Sequence, residues 1–262
     1  MQRQDFPVDH ATDHDVIAED RIADLPDPVR RHLTFAGVVG RPLDRWFEAE
    51  LRGWFRTAPD RRWAACRCHQ RNSAPEVTRT FRMRTTLGRV VPVRAEDTYS
   101  AGRGRLRATA FGLFTLTDEQ GPELDAGELA TFLADALLLA PSMLLSLPVE
   151  WSAAGEHAYH VALTDLGRTV TGRVELDGRG APRVFTTEDR WALRPGGLVR
   201  TRWSTPVDGW LLTAGRVRPR RGTAVWHLPG EPFAYAQFDY SHSTLTYGHP
   251  PVRSQAALPP TG

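Results

Sequence analysis

The stretch 127-GELATFLADALLLAPSMLLSL-147 decides how the rest of this chain is read. Leu129, Leu133, Ala136, Leu137 and Ala140 recur at spacings of three and four, the period of one helical face. Phe132, Leu138 and Leu139 leave almost no purely polar side, so the helix must be buried or must cover something apolar. Asp125 reads as its N-cap, with Glu128 three residues on in the capping-box position. Pro141 ends or kinks it near Ala140, and a second apolar turn follows through Met143 and Leu144.

On both sides of this helix the sequence alternates with the period of strands. Phe47, Ala49, Leu51, Gly53 and Phe55 interleave with Glu48, Glu50, Arg52, Trp54 and Arg56. The same pattern runs through 62–70, 77–86, 90–99 and 106–117, punctuated by glycines at 88, 102, 104 and 112. This describes an antiparallel meander of five or six strands with hairpin connections. After Trp151, alternation returns over 157–164, 168–176, 183–191, 199–206, 215–219, 224–228 and 233–247. The fold class is therefore mainly β: a strongly curved antiparallel sheet or half-barrel packed around one central apolar helix. Residues 1–22 read as a flexible arm, 23–248 as a single half-barrel domain and 249–262 as a disordered proline-rich tail.

Composition narrows the chemistry. With 262 residues and 41% hydrophobic content the chain can bury a sizeable core. All 33 basic residues are arginine, which excludes a Schiff-base lysine, a Walker lysine and a catalytic Lys/Tyr pair. Such a bias is what a GC-rich genome imposes. The net charge of +2 is spread along the length without a basic block, so no nucleic acid partner is expected. The N-terminus lacks a signal peptide's apolar region and no apolar run is long enough to span a bilayer, so the reading is cytoplasmic, without membrane insertion. Nothing in the pattern fixes an oligomeric state.

Cys66 and Cys68 are the only cysteines, and as i and i+2 neighbours they share a strand face while His69 faces the other way. They read as buried thiols rather than a metal site. His157, His160, His242 and His249 lack metal-ligand context. No G-x-S-x-G, H-E-x-x-H, helix-opening G-x-G-x-x-G or EF-hand loop is present, so no metal and no cofactor is expected.

The order of several segments resembles a known family. LPDPVRRHLTFAGVVG from Leu25, DTYSAGRGRLRATAFGLFTL from Asp97, GPELDAGELATFLADALLLAPSMLL from Gly121, VEW from Val149, TTEDRW from Thr186 and RVRPRRGTAVWHLPG from Arg216 together are similar to the uncharacterised bacterial DUF6544/DUF6920 type. That resemblance implies a curved sheet folded over a helix, similar to the lipid-carrier half-barrel of LolA-like lipoproteins. It carries over no catalytic residues. Where the family pattern has an acid and an aromatic pair, LAE followed by WYP, this chain has Leu133-Ala134-Asp135 and then Leu138-Leu139-Ala140-Pro141, which implies a more apolar pocket touching Leu137 to Ala140.

Strand parity selects the candidate site residues. Asp97 and Tyr99 share a face with Val91, Val93 and Ala95, so Asp97 either points inward, where burial would suit it to proton transfer, or pairs with a rim arginine. Glu188 and Arg190 fall on one face, as a solvated pair or as acid and cation on a bound carbonyl. In the last strand Phe233, Tyr235, Gln237 and Asp239 share one face and Ala234, Ala236, Phe238 and Tyr240 the other. The chain has eight tryptophans, and Trp63, Trp191 and Trp226 are candidates to line the concavity with Leu137 and Met143. The expected catalytic set is Asp97, Tyr99 and Glu188; the expected binding set is Tyr235, Gln237, Trp63, Trp191, Trp226, Phe233, Leu137 and Met143. The function this suggests is a cofactor-free secondary-metabolism enzyme that folds a hydrophobic polyketide-like substrate and promotes cyclisation or isomerisation. The alternative is a non-catalytic carrier or sensor of a lipid-like ligand. A concave side plugged by its own side chains would leave only an interaction domain.

Overall fold

The computed structural model describes residues 16–213 and 215–248. Six strands form the expected meander: β1 (Trp46–Phe55), β2 (Ala64–Ser73), β3 (Thr78–Leu87), β4 (Val91–Ser100), β5 (Arg103–Ala110) and β6 (Phe114–Gln120). The run expected over 106–117 is thus two strands, because Phe111 and Gly112 both take positive φ and turn the chain. Two short helices precede the meander, α1 (Asp20–Ala23) and α2 (Asp27–Phe35). The central helix α3 (Pro122–Leu139) follows it, then a 3-10 turn over Pro141–Ser146.

The second set comprises β7 (Val149–Ala153), β8 (Ala158–Asp165), β9 (Arg168–Leu176), β10 (Pro182–Thr187), β11 (Trp191–Arg194), β12 (Gly197–Arg200), β13 (Trp203–Thr213), β14 (Arg216–Trp226) and β15 (Phe233–Gly248). All strands except β11 and β12 join one antiparallel sheet of 13, in the order β6-β5-β4-β3-β2-β1-β15-β14-β13-β10-β9-β8-β7. β15 closes the two halves by pairing with both β1 and β14. The separate β11–β12 hairpin leaves the sheet between β10 and β13.

α3 crosses the concave side and touches strands of both halves, from β3, β4 and β5 to β9 and β10. Fourteen of its 18 residues are buried, as an all-round apolar helix requires. Its start differs from expectation: Gly121 is the N-cap and Pro122 takes the first turn, so Asp125 lies inside the helix. Asp125 instead pins the helix to the sheet. Its Oδ1 accepts the Gly104 amide at 2.8 Å, and its Oδ2 takes the Arg168 guanidinium at 3.2 Å. A side chain at Gly104 would collide with the Leu124 carbonyl, so this strand position admits only glycine.

The expected arm over 1–22 is shorter than that at its inner end. Ile17 is fully buried and Ile22 nearly so, because Val16 bridges to Pro42 and α1 packs on the core. The rest of the arm, 1–15, and the tail over 249–262 lie outside the described residues. Among the described residues, no helix is long and apolar enough to cross a membrane.

Candidate functional site

The concave side is not plugged. Between α3, the sheet and the β11–β12 hairpin lies a cavity of about 470 Å³, within the range of small-molecule pockets. Its floor follows from strand register. Asp97 lies between Phe81 and Leu106, and Ala95 between Met83 and Ala108, so one face of β3, β4 and β5 supplies a continuous apolar surface around a single carboxyl. The other wall is aromatic: Trp191, Trp203, Trp226, Phe233 and Tyr235.

A largely buried ionic cluster forms part of the same lining. Arg79 Nη1 donates to Glu128 Oε2 at 2.9 Å, and its Nε donates to Asp135 Oδ2 at 2.7 Å. Arg190, in the loop after β10, donates to the Gly127 carbonyl at 3.1 Å and stands 3.6 Å from Glu128 Oε1. Its guanidinium lies over Trp203 and Trp226 at 4.8 and 5.4 Å from the ring centres. Trp226 stacks on Tyr235, whose hydroxyl oxygen accepts the Trp203 indole N–H at 3.1 Å. Burial raises the Tyr235 phenol, while the charge of Arg190 and the indole hydrogen bond act in the opposite direction.

Asp97 makes no hydrogen bond or ion pair with another described residue. It sits deep in the fold yet stays half-buried, because its accessible part faces a cavity that water can enter. Burial first, then the negative charge of Glu128, pushes its carboxyl up to about 7, against the lowering pull of Arg79 and Arg190. Burial likewise raises Asp135, which Arg79 partly offsets. Of the two arrangements open for Asp97, the structure has the inward one.

The other expected residues divide. Trp191, Trp226, Phe233 and Tyr235 line the cavity with Asp97. Tyr99 does not: it is fully buried and donates its hydroxyl to Asp165 at 2.7 Å. Glu188 is 65% exposed and lies 3.8 Å from Arg202, since β10 ends at Thr187 and strand parity stops before reaching it. Leu137 and Met143 are core residues; one position along the helix, Leu138 turns toward the cavity. Trp63 sits in the loop before β2, outside the cavity lining, with the Arg56 guanidinium 4.5 Å over its ring.

Gln237 is displaced by a bulge. Ala234 pairs with Val225 and Ala236 with Ala224, so Tyr235 is an extra residue in β15 and parity reverses after it. Phe238 and Tyr240 therefore face the cavity in place of Gln237 and Asp239. Arg79, Glu128 and Asp135 were not among the expected site residues, and Arg190 was expected only as the partner of Glu188. The signal available for them was Asp135 itself, an acid inside an apolar run that must find a buried cation. Glu128 is not a capping-box residue, because the helix begins six residues before it.

The cysteines occupy the apolar side of β2 with their sulfurs 3.9 Å apart. The contact with Cys66, and then burial, raises Cys68, while Cys66 is lowered by its contact with Cys68. His69 projects to the opposite face and binds Glu48.

A half-barrel wrapped on a helix, with an aromatic cavity that an unpaired Asp97 and a buried ionic cluster also line, describes the class of this molecule. The chain belongs to DUF6544, a family of unknown function, whose model matches residues 15–238. Comparison with curated proteins gives no match. Among solved structures, a LolA superfamily protein from Nitrosomonas europaea is similar at 13% identity, over 84% of this chain and 93% of that one, with a TM-score of 0.38.

Proposed function

We propose that this protein binds a mostly apolar small molecule in the cavity between α3 and the sheet. The observation that carries this reading is the cavity itself, because a single-domain core without a ligand role packs its concave side densely. Its wall is aliphatic and aromatic, with few polar groups to fix orientation, as small-ligand sites are. Such a protein would serve as a carrier or sensor.

Native mass spectrometry of protein purified from its own host, with tryptophan fluorescence during titration of apolar ligands, tests the reading. Ala95→Trp and Ala108→Trp, which fill the floor, are expected to weaken binding by about tenfold or more while the protein still melts cooperatively. Unchanged binding in both variants overturns it.

A second reading is favoured by Asp97 alone: a cofactor-free isomerase or cyclase acting on a polyketide-like substrate. An acid poised near neutrality and facing an apolar cavity can move a proton on a bound molecule. Tyr235 and the tryptophans would shape the substrate, and Tyr99 and Glu188, lying outside the cavity, take no part. Asp97→Asn should then lower turnover of a candidate substrate by about 100-fold with binding retained. Equal turnover sinks this reading.

A further inference from the structure

We infer that the ligand of this cavity is a hydrophobic amine, held by an ion pair between its ammonium group and Asp97. The inference rests on the ligand-binding reading above and adds the chemical class of the ligand. It begins with a count of charges. Among the groups that act on Asp97, two cations, Arg79 and Arg190, stand against three carboxylates, Glu128, Asp135 and Asp97 itself. Arg79 is committed to Glu128 and Asp135, and Arg190 to Glu128, the Gly127 carbonyl and two indole faces. Asp97 is left over: all three carboxyls line the cavity, and of the three it alone has neither an ion pair nor a hydrogen bond with a described residue.

A guest ammonium would balance the count at three and three and let Asp97 ionise beside its neighbours. A carboxylate or phosphate guest at Asp97 would instead add a fourth anion beside two guanidiniums already engaged; Arg56 and Arg194, which also line the cavity, are not among the charges that shift Asp97. The walls agree with a cation. Aromatic faces carry partial negative charge, and this protein already places guanidiniums on them: Arg190 over Trp203, Arg79 over Phe81 at 5.3 Å and Arg56 over Phe233 at 5.2 Å. The apolar floor of Met83, Ala95, Leu106 and Ala108 would receive the hydrocarbon part.

The charged and titratable groups acting on Asp97 are Arg79 from β3, Arg190 before β11, Glu128 and Asp135 from α3, Tyr235 from β15 and Cys68 from β2. Over the neutral range an alkylamine stays protonated, with a pKa near that of lysine at about 10.4. Its affinity should therefore follow ionisation of Asp97 and rise from about pH 6 to about pH 8.

The test compares dodecylamine, dodecanol and dodecanoate below their aggregation limits, by calorimetry and tryptophan fluorescence on the full chain. At about pH 8 dodecylamine is expected to bind about tenfold tighter than dodecanol, with dodecanoate weakest. Asp97→Asn should erase the amine preference and leave dodecanol affinity within about twofold; Asp97→Glu should keep the preference. If dodecanol or dodecanoate equals the amine, or if Asp97→Asn retains the preference, the amine assignment falls while ligand binding stands. If none of the three binds, both fall.

Discussion

Arg79 on β3 and Glu128 on α3 hold each other at 2.9 Å, each with only 4% of its side chain exposed. With Asp135 two helical turns further on, this pair ties the helix to the meander along the cavity. Removing the cation would leave two largely buried carboxylates without their partner. Arg79→Met is expected to cost about 3–5 kcal/mol in urea unfolding, and the triple variant Arg79→Met, Glu128→Leu, Asp135→Leu to recover most of it. A loss below about 1 kcal/mol in the single variant would show that water reaches the cluster.

Asp97 links stability to pH. Its carboxyl is raised from 3.8 to about 7 in the fold, so the folded state holds the proton more tightly than the unfolded chain. Its contribution is complete below about pH 4 and is lost as pH rises through about 7. Asp97→Asn removes that slope, and at about pH 8 should stabilise the protein by up to about 4 kcal/mol. Thermal melts of both proteins across this range decide it, and parallel curves would contradict the buried, unpaired state of Asp97.

His32 works in the opposite sense. Its Nδ1 accepts the Tyr159 hydroxyl at 2.6 Å, its other ring nitrogen serves the Leu137 carbonyl, and burial lowers its pKa from 6.5 to about 3. The neutral ring therefore stabilises the fold above about pH 6.5, and that stability is lost as pH falls toward 3. Tyr159→Phe strands the Nδ1 lone pair and should cost about 1–3 kcal/mol at neutral pH. In the same variant the loss on acidification should shrink, as measured by urea midpoints at about pH 7 and about pH 5.

Gly104 sets how closely α3 approaches β5. An added Cβ would fall 2.1 Å from the Leu124 carbonyl oxygen, a backbone atom that cannot step aside. Gly104→Ala should cost about 2–3 kcal/mol and loosen the amide bond to Asp125. Gly178→Ala, where the added carbon meets nothing, is the control. Hydrogen exchange at the Gly104 amide reads the first effect directly.

Much of the fold was legible because it is periodic. Alternation gave the meander, and the all-round apolar run from Leu129 to Leu139 gave a buried helix, since both patterns report which faces leave water. Parity also brought Asp97 to the inside. It failed where the backbone leaves the ideal period: at the end of β10 before Glu188, and at the Tyr235 bulge that exchanged Gln237 for Phe238. At the helix, a rotation of one residue separated Leu137 in the core from Leu138 on the cavity, a difference too fine for a stripe that is apolar on every side.

The amino-acid order by itself determined a curved β-rich shell with one helix to cover, because burial of apolar faces is a local, repeating requirement. Only the tertiary structure decided that the shell keeps a cavity. It also decided that Arg79, Glu128, Asp135 and Arg190, spread over more than a hundred positions, converge on its lining. Long-range pairing of buried charges leaves no period in a sequence, and so the unpaired state of Asp97 beside this cluster becomes visible only when its neighbours' partners are all in place.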